Sequence, residues 1–230
     1  MVQPLLHHWH DQCYAVRHMR NIAYLSLLFL AACGVDQPGT QPTLSFASVR
    51  DRLSHEPTRL FIPGTGSTGS LVAKRYTHDG WVEGTSTLAI TGGELTAKAT
   101  GDQVSAASFE LELAPIDLPD AVFGKPAQLT DVRVTLASSV TAPATWSDAD
   151  DATATLPVML DLAWSIAIDQ GVTQLGTQHL PVIPLDLTLT GGGDHVDATL
   201  SLHGDGTLWT WADLLQLADL KLEIEASTVE

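Results

Sequence analysis

Cysteine, positive charge and aromatic rings are all scarce in this chain, and each scarcity excludes something. The 230 residues include 2 cysteines, Cys13 and Cys33, so no disulfide framework can carry the fold. Lys and Arg total 11 against 27 Asp and Glu, a net charge of −16, which repels nucleic acid and anionic headgroups. Phe, Trp and Tyr make up 6% of residues, so a core must be built from Leu, Val, Ile and Ala. No apolar run is long enough to cross a bilayer. The longest, Ile22 to Leu30, with Ala31 and Ala32 behind it, spans 11 residues, about 16 Å as a helix against a hydrocarbon core of ~30 Å.

That short run has another use. Arg17 and Arg20 precede it, and it ends in Leu30-Ala31-Ala32-Cys33: a basic n-region, an apolar h-region, then small residues before a cysteine. The arrangement resembles the signal segment and lipobox of bacterial lipoproteins. The resemblance covers only these residues. It implies cleavage before Cys33, diacylglyceryl transfer to its sulfur and acylation of the freed amine. Two or more acyl chains, at ~0.8 kcal/mol per buried methylene, hold a protein firmly on a membrane. Gly34, rather than an Asp retention signal, implies an outer-membrane lipoprotein of the cell envelope, its partner being the lipid bilayer. His7, His8, His10, Cys13 and His18 lie upstream, match no zinc spacing and would be removed; Met19 is an alternative start.

The expected organisation is a signal segment over 1–32, a lipidated tether over 33–43 and a single β-rich domain over 44–230. Without Arg17, Arg20 and Asp11 the mature chain keeps 9 basic and 26 acidic residues, a net charge of −17. Val35 to Thr43 is polar and interrupted by prolines, as a spacer would be. Phe46, Val49 and Leu53 are spaced for a short amphipathic helix with Ser45 as N-cap.

Gly64, Gly66 and Gly69 satisfy G-x-G-x-x-G. No βαβ unit surrounds them, no lysine precedes Ser70, and G-x-S-x-G occurs nowhere, so a glycine-serine loop is expected rather than a nucleotide site or a nucleophile elbow. A turn is expected at Thr77-His78-Asp79-Gly80. From residue 85 the apolar period becomes two, the mark of strands. Gly92-Gly93 reads as a two-residue hairpin turn pairing Ile90 with Leu95, and a parity switch at Ala106-Ala107 predicts a bulge or a strand changing partners. Leu129 to Leu136 alternates, and Leu156 to Ile168 is one-faced over 13 residues, ~43 Å, so it must run centrally or bend between two sheets. Around Gly192-Gly193, Leu189 is expected opposite Val196 and Leu185 opposite Leu200, with Pro181 and Pro184 marking an edge. Thr210 and Asp213 suggest a capped helix over Trp209 to Leu217, before a last strand over Leu220 to Ala226. Eight to ten strands and two short helices predict an all-β antiparallel meander, a sandwich or an open curved barrel.

No catalytic constellation emerges. His55, His78, His179, His195 and His203 stand in no ligand spacing, and Asp148, Asp150, Asp151, Asp194, Asp197 and Asp205 read as turn residues. No enzyme, metal or cofactor is expected. Trp209 and Trp211 could form an interaction rim. Three functional readings follow, in decreasing order of support. The first is a non-catalytic lipoprotein with a structural or protein-interaction role. The second is a carrier of an apolar ligand in a half-open barrel, and the third is a hydrolase using the Gly64 to Ser70 loop.

Overall fold

The computed structural model describes residues 45–168, 171–192, 194–211 and 215–228, excepting the side chains of 168, 172–178, 205–211 and 215. The signal segment, Cys33 and the tether lie outside the described residues, as do Gly193 and Asp213.

The chain is all-β. Its strands are β1 Thr58–Ile62, β2 Thr68–Thr77, β3 Gly80–Thr100, β4 Gln103–Leu113, β5 Ile116–Leu118, β6 Ala127–Leu136, β7 Val140–Trp146, β8 Ala152–Val158, β9 Leu160–Ile168, β10 Gly171–His179, β11 Ile183–Gly191, β12 Val196–Trp211 and β13 Leu215–Ser227. Two short helices accompany them, α1 Val49–His55 and α2 Asp120–Phe123. Every pairing is antiparallel.

The thirteen strands among the described residues exceed the expected eight to ten because several long strands are interrupted. β1 and β2 follow one another along one flank of β3. β6 and β7 do the same along β4, and β8 and β9 continue one line broken at the exposed Met159. The expected 13-residue strand thus bends into two while its apolar face, Leu156 through Ile166, stays buried.

The strands β2, β3, β4, β7, β8, β11, β12 and β13 each pair with the next, and β13 returns to β2, so the sheet closes into a ring. Beyond it, β6, β9 and β10 prolong the wall, and among the described residues β10 pairs only with β9. A 21-residue strand such as β3 runs ~70 Å, and a flat sheet of that length would leave one face wet, so the sheet must coil on itself. Inside lies one apolar cluster, dominated by Leu, Val, Ile and Ala.

Glycine placement departs from expectation. Gly92 and Gly93 make no turn; β3 passes straight through them, with Leu111 of β4 and Ile62 of β1 both opposite Gly93. Two flanking strands supply more ladder than an isolated hairpin could. The parity switch at Ala106-Ala107 is both things expected of it. Thr96 faces Ser108 and Ala97 faces Ala106, leaving Ala107 as the extra residue, and β4 pairs with β7 before it and with β6 after it.

The β11–β12 hairpin keeps its buried face but shifts its pairing by two. Leu185 faces Leu202, Leu187 faces Leu200 and Leu189 faces Ala198, because Gly191 (φ 116°) still pairs with Val196 and the turn lies beyond it. A shift of two preserves side-chain parity where a shift of one would expose every leucine. Nor is β11 an edge. Pro184 faces Pro157 of β8, and pairing with β12 begins only at Leu185, past the residue that lacks an N–H.

The expected helix over Trp209 to Leu217 is likewise replaced by strand at its described residues, 209–211 and 215–217. β12 runs on to Trp211 and β13 starts at Leu215, with Thr210 opposite Gln216. Alternation between neighbours outweighed a local capping signal.

Candidate functional site

One end of the ring is capped by α1. Its cap is Ser48 rather than the expected Ser45: the Ser48 hydroxyl accepts from the Asp51 amide at 3.2 Å, and Val49 and Leu53 bury fully against the core. Arg50 Nη2 donates to Asp102 Oδ1 at 2.7 Å and to the Gly101 carbonyl at 3.2 Å, and its guanidinium lies 4.9 Å from the Trp146 ring centre. Arg52 Nη1 donates to the Asp194 carbonyl at 2.9 Å. The helix is therefore fastened across the β3–β4 and β11–β12 turns.

Farther along the ring lies a void with no polar atom on its surface. Leu71, Leu88, Leu113, Leu129, Trp164 and Leu220 are among the buried side chains around it. Its cavity volume is only about 30 Å³. An engineered apolar cavity of about 150 Å³ admits benzene, so this one takes a group of a carbon or two unless the wall gives. The wall beside it is irregular. Register shifts occur at Thr130/Arg133, Gln174/Gly176, Gly204/Thr207 and Ala218/Lys221, with Asp131 and Asp219 at positive φ (53° and 50°).

At the end opposite α1, the Thr77–Gly80 turn closes the β2–β3 hairpin. Gly80 takes φ 113°, and the Thr77 hydroxyl donates to the Gly80 carbonyl at 2.9 Å. Tyr76 and Trp81 face each other across this turn, ring centres 5.4 Å apart and edge to face. Both are exposed, at 58% and 52%. Beneath them Arg75 donates to the Val122 and Phe123 carbonyls at 3.3 Å and lies over the Phe123 ring, while Lys74 pairs with Glu83 at 3.2 Å. Comparison with protein-family models, curated proteins and solved structures found no match.

The G-x-G-x-x-G residues serve packing. A Cβ at Gly64 would lie 2.8 Å from the Thr91 carbonyl oxygen, Gly66 takes φ 86°, and a Cβ at Gly69 would lie 2.6 Å from Leu222 Cδ2. Ser67 is buried, and its hydroxyl accepts from the Glu225 amide at 3.1 Å. Only Gly64 to Ser67 form the expected loop, held against β13; Thr68, Gly69 and Ser70 are already strand β2, because pairing with both β3 and β13 extends the ladder to them.

The histidines are scattered. His55 Nδ1 lies 3.2 Å from Asp51, His195 Nε2 lies 2.9 Å from Asp197, and His179 contacts Asp161. His78 sits in the exposed β2–β3 turn and His203 faces outward on β12. Among the described residues no three His, Cys, Asp or Glu groups converge on a metal position. Asp148 to Asp151 form the β7–β8 turn, where the Ser147 hydroxyl accepts from the Ala149 and Asp151 amides. Trp209 and Trp211 lie on β12 opposite Leu217 and Leu215, at the same end of the strands as Tyr76; their side chains are outside the described residues. Sequence reasoning passed over Tyr76 and Trp81. The available signal was two aromatics flanking a turn in a chain with only 6% aromatic residues.

Proposed function

We propose that this chain is a non-catalytic lipoprotein of the cell envelope, anchored through acylated Cys33, with a structural or protein-interaction role that the small interior void favours; uptake of a single apolar chain by the β ring is the second reading. One observation carries the ligand reading: the interior void has a wholly apolar surface, beside a wall of bulged strands. Bulges interrupt the ladder and mark where strands can part at least cost. An apolar ligand would displace side chains there and leave its polar end at the mouth, since nothing inside can bond it.

The test is mass spectrometry of an organic extract of the purified protein, with an uptake assay using a fluorescent fatty-acid analogue. Co-purified lipid and saturable uptake support the carrier. A protein that yields neither leaves the structural or protein-interaction role, which the small size of the void favours. The anchor has its own test. Cys33→Ala should move the protein out of the membrane fraction, and unchanged membrane association would refute lipidation.

A further inference from the structure

We propose that the Tyr76–Trp81 hairpin tip is a second membrane contact, inserting into the interface of a zwitterionic bilayer. Its being a second contact rests on the anchor proposed at Cys33; it does not depend on whether the void is filled. The two rings are more than half exposed, yet they hold one edge-to-face geometry on a hairpin whose base is tied to α2 through Arg75. Tyr and Trp combine an apolar body with a polar edge, the pairing that suits the headgroup level of a bilayer.

Size decides between a bilayer and a protein partner. Two rings offer a few hundred Å² at most, against about 800 Å² per side in a stable protein interface. Among the described side chains, the other large exposed apolar ones, Phe61, Met159 and Val182, lie on other strands and links and do not extend the patch. Charge decides the kind of lipid. Lys74 is paired with Glu83, Arg75 is engaged by α2 carbonyls, and Asp79 sits in the turn, so the tip offers no surplus cation to a chain of net charge −16. An anionic surface is therefore disfavoured. The tip also lies at the opposite end of the strands from α1, the first described element after the tether. A chain anchored at its N-terminus would present it to a second membrane.

The experiment mixes full-length protein carried on donor vesicles with acceptor vesicles of brominated phosphatidylcholine. Bromine should quench a share of the tryptophan emission that is missing in Trp81→Phe. Capture of acceptor vesicles should fall at least tenfold in Tyr76→Ser/Trp81→Ser and stay unchanged in Phe61→Ser. Equal capture by the folded double variant, or quenching undiminished in Trp81→Phe, overturns the proposal. If the protein does not stay on donor vesicles, the anchor has failed. The tip is then read by direct sedimentation of the full chain with brominated vesicles, where loss of Trp81-dependent quenching again overturns it.

Discussion

Gly93 on β3 passes so close to Glu110 on β4 that a Cβ at Gly93 would fall inside van der Waals contact with the Glu110 carbonyl oxygen. A residue that reads as a turn is instead the point where three strands press together, since Ile62 of β1 lies opposite Gly93 on the other flank. Gly93→Ala should therefore destabilise the fold by about 1–3 kcal/mol, the usual cost of overpacking. Urea unfolding checks it.

Leu88 is buried and borders the void. Leu88→Ala should cost about 2–5 kcal/mol and enlarge the cavity. If the ring binds apolar chains, the same variant should take up more of a short-chain fluorescent analogue than the parent, measured by titration at a temperature where both are folded. Val134→Leu adds one methylene to the void lining and should be within about 1.5 kcal/mol of neutral while reducing uptake.

The α1 cap offers a graded test. Ser48→Ala removes the hydrogen bond to the Asp51 amide and should cost about 1 kcal/mol. Leu53→Ala, at a fully buried position, should cost about 2–5 kcal/mol. Asp102→Ala breaks a well-exposed pair with Arg50 and should cost under about 1 kcal/mol. Thermal unfolding should give the lowest midpoint for Leu53→Ala, then Ser48→Ala, with Asp102→Ala nearest the parent.

Ser67 distinguishes packing from chemistry. Ser67→Ala leaves the Glu225 amide without its acceptor and should lower stability by about 1–2 kcal/mol. Neither parent nor variant should hydrolyse a generic nitrophenyl ester above background. Turnover that disappeared in Ser67→Ala would restore the hydrolase reading.

Much of the fold was legible because alternation is a local pattern with a global cause. Residues such as Leu185, Leu187, Leu200 and Leu202 must share a face whichever way their strands pair, and they do. The α1 helix and the bulge near Ala107 were legible for the same reason, as changes of period. The tip was harder to see, because exposure at Tyr76 and Trp81 depends on what packs beside the hairpin.

What the sequence determined by itself was the class of the domain: period-two leucines and alanines with scarce aromatics commit the chain to coiled antiparallel sheet. The lipobox resemblance is also a matter of sequence, since its reading depends on four adjacent residues and the run before them. Tertiary structure decided what each glycine and proline was for. Gly93 could be a turn or a crossing point, and Pro184 an edge or an internal residue paired with β8 but beyond the last pairing with β12. Both alternatives satisfy the same local backbone preferences, and only the identity of the neighbouring strand separates them. Tertiary structure likewise decided that Trp209 and Trp211 lie on strand, because pairing with β13 supplied more hydrogen bonds than a short capped helix could.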